Sequence, residues 1–215
     1  MIAMPDEQSP DEQSIVFVID DDEAVRDALS VHLDLAGLPV RTFASARDFL
    51  AAIDPDQGGC AVLDIRMPDQ DGIALQQEMI RRGLTLPVII ITGHGDVEAA
   101  VAAFRSGAVD FLQKPFDEDL LIERIREAIE RDRHSRRLSL EVAEIRVRFD
   151  QLSPREKEVM DLVAQGHSNK VIAIRLDIGV RTVETHRAKV LEKMGVRSAP
   201  ELARMKMRLD EGGPG

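Results

Sequence analysis

Cys60-Ala61-Val62-Leu63-Asp64 is a run of four apolar residues closed by a carboxylate, and Val88-Ile89-Ile90-Ile91-Thr92 repeats the plan with a hydroxyl at its end. Runs this short and this continuously apolar suit strands buried on both faces, as in the centre of a parallel sheet. Outward from these two runs, apolar strands alternate with helical segments. The pattern predicts strands at 15–19, 39–43, 60–63, 87–91 and 109–112. Helices are predicted at 23–36, 46–53, 72–82 and 96–106, with a fifth from 117; Gly37, Gly83 and Gly107 end three of them. Five βα steps in series define an α/β fold, a (βα)5 doubly wound parallel sheet.

The chemically distinctive residues fall where strands run out. Asp20-Asp21 follow the first strand, Asp64 the third, Thr92 the fourth and Lys114-Pro115 the fifth. In an open parallel sheet the carboxyl edge is where ligands bind, because helices cover both faces and only the tips share a crevice. Three carboxylates gathered there repel one another unless a cation sits among them. An oxygen-only donor set selects Mg²⁺, drawing on Asp21 and Asp64 directly, on waters held by Asp20 and on phosphoryl oxygens. Lys114 is placed to hold another oxygen as a point charge, and Thr92 to offer its hydroxyl. Singly, each residue is an ordinary cap, turn or solvated side chain. Together they point to an aspartate that accepts a phosphoryl group.

Composition narrows the classes. At 215 residues with 44% hydrophobic content, the chain is long enough for two cores. Trp and Tyr are absent and aromatics total 3%, so single-strand binding on stacked rings is disfavoured. Cys60 stands alone in an expected buried strand, which excludes an internal disulfide and suits a reducing compartment. No apolar run reaches membrane-spanning length and no leader pattern is evident, so a cytoplasmic protein without a membrane partner is expected.

The formal charge of −11 is unevenly distributed: residues 1–149 carry −13 and residues 150–215 carry +2. The front half repels nucleic acid and the back half can accept it. Residues 1–14, with Pro5-Asp6-Glu7-Gln8-Ser9 repeated as Pro10-Asp11-Glu12-Gln13-Ser14, are expected to form a disordered acidic tail. Residues 131–149 are expected to be a helical linker; Leu138, Val142, Ile145 and Phe149, with Leu152 just beyond it, form a heptad-like seam. That seam suits either a pairing helix or a lone amphipathic connector. Residues 150–210 hold only helices, and 211–215 are expected to be a flexible tail. Ser153-Pro154-Arg155-Glu156 is a capping box, helices follow at 154–165, 169–176 and 181–194, and the tight turn at Ile178-Gly179 makes a helix-turn-helix.

Residues 15–130 resemble a response-regulator receiver domain, whose fold is CheY-like: Ile19-Asp20-Asp21-Asp22, Asp64-Ile65-Arg66-Met67-Pro68, Thr92-Gly93-His94-Gly95 and Lys114-Pro115-Phe116 carry the likeness. The resemblance implies that Asp64 takes its phosphoryl group from a sensor histidine kinase. It also implies that the Arg66 carbonyl joins Asp21 and Asp64 on Mg²⁺, and that the Lys114-Pro115 bond is cis. Phe111 would be a rotating switch, while Arg66 and His94 would tune acyl-phosphate hydrolysis. Leu152-Ser153-Pro154-Arg155-Glu156, Asn169-Lys170-Val171-Ile172-Ala173 and Arg181-Thr182-Val183-Glu184-Thr185-His186 resemble a LuxR-type DNA-binding domain. The whole chain is therefore similar to the NarL/FixJ family, nearest its FixJ branch. That likeness implies a transcription regulator rather than an enzyme, with a phosphorylation-dependent homodimer, double-stranded DNA and RNA polymerase as partners. An aspartate phosphatase is disfavoured, since it needs a second acid where Arg66 stands. By position, Glu184, Thr185 and Ala188 would face bases, and Lys170, Arg181, Thr182, Arg187, Lys189 and Lys193 would meet phosphates. Glu184 departs from an all-basic surface and suits a cytosine N4 donor.

Overall fold

The computed structural model describes residues 14–68, 70–93, 101 and 103–211. The expected tail at 1–13, His94 and the 212–215 terminus lie outside the described residues. So does most of the helix expected at 96–106, of which 101 and 103–105 are helical. Two compact units divide between Arg136 and Arg137.

The first unit is a sheet of five parallel strands in the order β2-β1-β3-β4-β5: β1 Ile15–Ile19, β2 Val40–Phe43, β3 Gly59–Asp64, β4 Val88–Thr92 and β5 Asp110–Gln113. Its helices are α1 Glu23–Leu35, α2 Ala46–Ala52, α3 Gly72–Arg81 and the start of α4, Glu118–Asp150. Alternate strand residues feed opposite layers. Phe17, Ile19, Ala61, Leu63 and Ile90 pack with Phe49 of α2 and Leu75 and Met79 of α3. Val16, Val18, Cys60, Val62 and Ile91 pack with Leu29 and Leu33 of α1 and Leu121 and Ile125 of α4. Burial on both faces is why these strands read as unbroken apolar runs.

The ladder carries β3 and β4 one residue further than the apolar pattern predicts. Asp64 pairs with Ile91 and Thr92 with Gln113, so both polar residues are the last members of their strands. Their side chains are consequently held by sheet geometry, not by loop conformation. At the other end of β3, a Cβ on Gly59 would lie 1.9 Å from the Ile15 carbonyl oxygen, so β1 and β3 can meet there only through glycine.

Three differences from the sequence expectations share one cause. Ser14, expected in the tail, is buried and accepts a hydrogen bond from Arg133 Nε. Asp132, expected in the linker, is 4% exposed and accepts from Gly59 N at 2.9 Å and from Arg136 Nε at 2.9 Å. Arg136 also donates to the carbonyls of Asp56 and Gln57. These bonds tie α4 to the amino ends of β1 and β3, and the first unit therefore continues to Arg136.

In the second unit α4 ends at Asp150 and is followed by α5 Pro154–Ala164, α6 Asn169–Leu176, α7 Val180–Met194 and α8 Ala199–Glu211. Glu211, expected in the flexible tail, closes α8. The core joins Val159, Met160 and Val163 of α5 to Ile172, Val183, Val190, Met194 and Leu202. Ile145, Phe149 and Leu152 of the seam pack into this core, whereas Leu138 is exposed. The capping box forms as expected: Ser153 accepts from Glu156 N and Glu156 accepts from Ser153 N. Asp177, in the left-handed conformation, ends α6, and Gly179 caps α7. No helix among the described residues is long and apolar enough to cross a membrane.

Candidate functional site

At the carboxyl edge of the sheet, Lys114 Nζ donates to Asp20 Oδ2 at 2.7 Å and to Asp64 Oδ1 at 3.0 Å. Asp20 is 1% and Asp64 6% exposed, whereas Asp21 stands in solvent at the rim. The other oxygens of the buried pair are also held. Asp64 Oδ2 accepts from Arg66 N at 2.7 Å, and Asp20 Oδ1 accepts from Asp22 N at 2.9 Å. Thr92 is buried at the end of β4, and its carbonyl accepts from Lys114 N at 2.7 Å, which aligns the β5 exit with the site. The Lys114-Pro115 bond is cis. Phe111, on β5, is half-buried against the α2–α3 side of the sheet.

The charges are unequal: one ammonium is shared by two buried carboxylates. Burial pushes the Asp64 carboxyl above the usual carboxylate range, and Asp20 adds to the rise, against the pull of Lys114 and the Arg66 N–H. Burial also works against the Lys114 charge, but its bonds to Asp20 and Asp64 outweigh that and hold it above the ordinary lysine value. Lys114 is therefore held in its charged form, one ammonium facing two carboxylates.

Asp20, Asp21 and Asp64 do not form a closed three-carboxylate cage. Among the described residues no group of three His, Cys, Asp or Glu side chains is arranged to hold a metal. Lys114 bridges two of the acids, and the third faces water. The donors at hand are nevertheless all oxygens with an unbalanced negative charge, which fits a hard, partly hydrated divalent cation and not a thiolate or imidazole metal.

Sequence reasoning missed Arg26. Its guanidinium donates to the carbonyls of Asp20 and Asp21 at 2.8 and 2.9 Å, fixing the backbone of the acidic pair. A cation in the first turn of α1 opposes the helix dipole, and that unfavourable placement was the available signal. Gly72 is a second omission. It opens α3, its N–H donates to the Ile65 carbonyl, and a Cβ there would lie 2.3 Å from the Asp64 carbonyl oxygen.

On the second unit, Lys170 of α6 and Arg181, Thr182, Glu184, Thr185, Ala188 and Lys189 of α7 are exposed. Val183, Val190 and Met194 are buried beneath them. Thr185 donates its hydroxyl to the Arg181 carbonyl, and Arg187 donates to Asn169 Oδ1 at 2.9 Å, bracing α7 against α6. Lys193, expected at a phosphate, lies with its ammonium 2.6 Å from Glu156 Oε2 and 3.2 Å from the Gln151 carbonyl, so it also serves the domain's own packing. A period of 3.6 residues shows which helix positions share a face, but not which neighbouring helix supplies a carboxylate. Replacing Arg181 with Ala is expected to lower the slope of log affinity against log salt by about 1, as for one lost phosphate contact, whereas Lys193→Ala should leave the slope unchanged.

The Lys193 bond and the Ser153 N–H pull the Glu156 carboxyl down to about 2. A depressed carboxyl contributes stability that is present above its unfolded value and is lost as pH falls through the folded one. Thermal melts of the second unit should therefore weaken progressively below the ordinary carboxylate range and down to pH 2, and Glu156→Gln should flatten that dependence.

An acyl-phosphate-ready sheet edge joined to a helix-turn-helix unit defines a signal-controlled DNA-binding regulator. Residues 16–126 match the response regulator receiver domain family, and residues 150–206 match the bacterial regulatory proteins of the luxR family. The chain belongs to the NarL/FixJ family of two-component response regulators. It is 45% identical over 193 residues to the transcriptional regulatory protein FixJ of Bradyrhizobium diazoefficiens, covering 90% of this chain and 94% of that protein. Over 201 residues it is 39% identical to the response regulator TodT of Pseudomonas putida, covering 94% of this chain and 88% of that protein. The solved structure of the response regulator StyR superposes with a TM-score of 0.82 at 37% identity, covering 91% of this chain and 99% of StyR. A beryllofluoride-activated NtrC4 receiver domain, solved as a dimer, superposes with a TM-score of 0.51 at 35% identity, covering 54% of this chain and 97% of that one. With both a receiver domain and a luxR-type DNA-binding domain, the chain is a response regulator of the transcription-regulating kind.

Proposed function

We propose that Asp64 accepts a phosphoryl group from a sensor kinase phosphohistidine, and that this modification drives pairing of two copies and sequence-specific binding to double-stranded DNA. The carrying observation is the Lys114 ammonium shared at 2.7 and 3.0 Å between Asp20 and Asp64. An Asp64 oxygen forms the new bond to phosphorus as the nitrogen–phosphorus bond of the donor breaks. The electron pair stays on the imidazole nitrogen, which takes a proton from solvent. Lys114 exchanges its bond to the Asp64 carboxylate for one to a phosphoryl oxygen, the Arg66 N–H continues to orient Asp64, and the Thr92 hydroxyl takes a further oxygen. Mg²⁺, when bound, supplies the missing positive charge, with Asp21, Asp64 and the Arg66 carbonyl as ligands and Asp20 holding its waters.

Movement of Thr92 toward the new group frees volume for Phe111 to turn inward, which shifts the population of the receiver surface around β5 and the start of α4 toward a self-complementary form. Two copies then present two helix-turn-helix units. A single unit with few phosphate contacts binds weakly, and pairing raises the effective concentration of the second. On α7, Glu184, Thr185 and Ala188 face bases, while Lys170, Arg181, Thr182 and Lys189 grip phosphates. Arg187 reaches the backbone from its Asn169 brace. A cytoplasmic setting and an activating contact to RNA polymerase complete the reading.

Selection from random duplex DNA tests it. Protein treated with Mg²⁺ and acetyl phosphate is expected to enrich sequences with two related half-sites spaced by about 10 base pairs or a multiple. Enrichment of the same sequences by untreated protein, or of none by either, would contradict the proposal.

A further inference from the structure

Asp21 is the least committed acid at the carboxyl edge of the sheet. Its carboxylate is exposed and makes no hydrogen bond or ion pair among the described residues, whereas Asp20 and Asp64 share the Lys114 ammonium. What fixes Asp21 is its backbone. One nitrogen of Arg26, Nη1, donates to the Asp20 carbonyl at 2.8 Å and to the Asp21 carbonyl at 2.9 Å. In an extended strand successive carbonyls alternate in direction, so two that converge on one nitrogen mark the point where the chain turns out of the sheet.

The rest of that turn is held by side chains of the same segment. Asp20 Oδ1 accepts from Asp22 N, and Asp22 Oδ1 accepts from Ala24 N as the cap of α1. Asp20, Asp22 and Arg26 thus serve the shape of the turn, and Asp21 alone is left to point outward with both oxygens open.

The partners that Arg26 passes over are as informative as those it takes. The carboxylates of Asp21, Asp22 and Glu23 all lie within five residues of it, and it forms an ion pair with none of them. A helical arginine ordinarily gains from an acid three or four positions away, and a cation in the first turn opposes the helix dipole. A guanidinium seated on the Asp21 carboxylate would compete with any cation for those oxygens. Seated on the carbonyls, it sets the direction of the carboxylate and leaves it free.

We propose that Arg26 is a positioning residue for the divalent cation, acting through the Asp20–Asp21 backbone to present the Asp21 carboxylate. The proposal rests on the reading of Asp21 and Asp64 as Mg²⁺ ligands. Two effects of Arg26 oppose each other. Its charge repels Mg²⁺, but at the solvent-exposed rim that repulsion is screened. Its two bonds spare the cost of ordering the ligand when the metal arrives, and groups that orient metal ligands in this way set affinity by about 10–100-fold. The orienting effect is the larger.

The test is Mg²⁺ titration of the ¹⁵N-labelled full chain as wild type, Arg26→Met and Arg26→Lys. Amide shifts at residues 20–22 and 64–66 give the Kd, and the rise in melting temperature with Mg²⁺ gives it independently. Arg26→Met, which keeps the unbranched stem and loses every donor, should raise the Kd about tenfold. Arg26→Lys should recover most of that loss, because a single ammonium can donate to both carbonyls. With acetyl phosphate as donor, the Mg²⁺ concentration at half-maximal rate should rise in Arg26→Met by more than the maximal rate falls. A purely structural role would reduce the amount of folded protein and leave the Kd unchanged. Wild-type or tighter Mg²⁺ binding by Arg26→Met would overturn the proposal, as would an Arg26→Lys variant no better than Arg26→Met. If Arg26→Met fails to fold, Arg26→Gln, whose amide is too short to reach both carbonyls, takes its place with the same expectation. Wild type without a saturable Mg²⁺ response would instead overturn the assignment of Asp21 and Asp64 as ligands, and this proposal with it.

Discussion

Asp64→Asn is expected to abolish phosphoryl uptake from acetyl phosphate completely and at the same time to raise the melting temperature of the receiver unit. Loss of uptake follows because the amide nitrogen and oxygen replace the only nucleophile that Lys114 and the Arg66 N–H jointly orient. The stability gain follows from the raised carboxyl of Asp64. A group whose folded pKa exceeds its unfolded one favours folding only below the unfolded value, and that contribution disappears as pH rises through the folded value. At neutral pH the ionised Asp64 is consequently a cost to the fold. Asparagine removes it and leaves Asp20 and Lys114 as a balanced pair at 2.7 Å. Melts at pH 7 in the absence of Mg²⁺ check the sign. A lower melting temperature for the variant would show that the acidic edge is not strained by its own charge.

Gly72→Ala should injure both stability and phosphorylation, although residue 72 carries no reactive group. Its Cβ would stand 2.3 Å from the Asp64 carbonyl oxygen and 3.2 Å from the Ile65 Cα, both backbone atoms that cannot rotate away. Either α3 withdraws, losing the Gly72 N–H bond to Ile65 and disturbing the packing of Leu75 and Met79, or the tip of β3 moves. Overpacking of this kind costs about 1–3 kcal/mol or more. A displacement of Asp64 by even 1 Å can reduce the phosphorylation rate by about 100-fold. Chemical denaturation and the rate of mass gain from acetyl phosphate measure the two effects. Wild-type values for both would show that α3 is not wedged against the phosphoryl site.

The reactive edge was legible because charge and hydroxyl groups interrupt apolar strands at only a few points, and those points must share one edge of a parallel sheet. Periodicity placed the strands but ended three of them a residue early, since it marks burial and cannot register a ladder that continues through Asp64, Thr92 and Gln113. Long-range polar bonds were invisible for a different reason. Asp132 reaches Gly59 across 73 residues of sequence, and nothing local distinguishes it from any helical aspartate. The same limit hid the bond from Lys193 to Glu156, which lies on another helix. Gly72 could have been suspected, because glycine at the first position of a helix invites the question of what approaches it.

The most direct measurement is sedimentation of wild type and Asp64→Asn with and without Mg²⁺ and acetyl phosphate, with intact mass recorded on the same samples. The account predicts one added phosphoryl group and a shift from monomer to dimer in treated wild type alone. Dimerisation of treated Asp64→Asn, or phosphorylated wild type that remains monomeric, would contradict it.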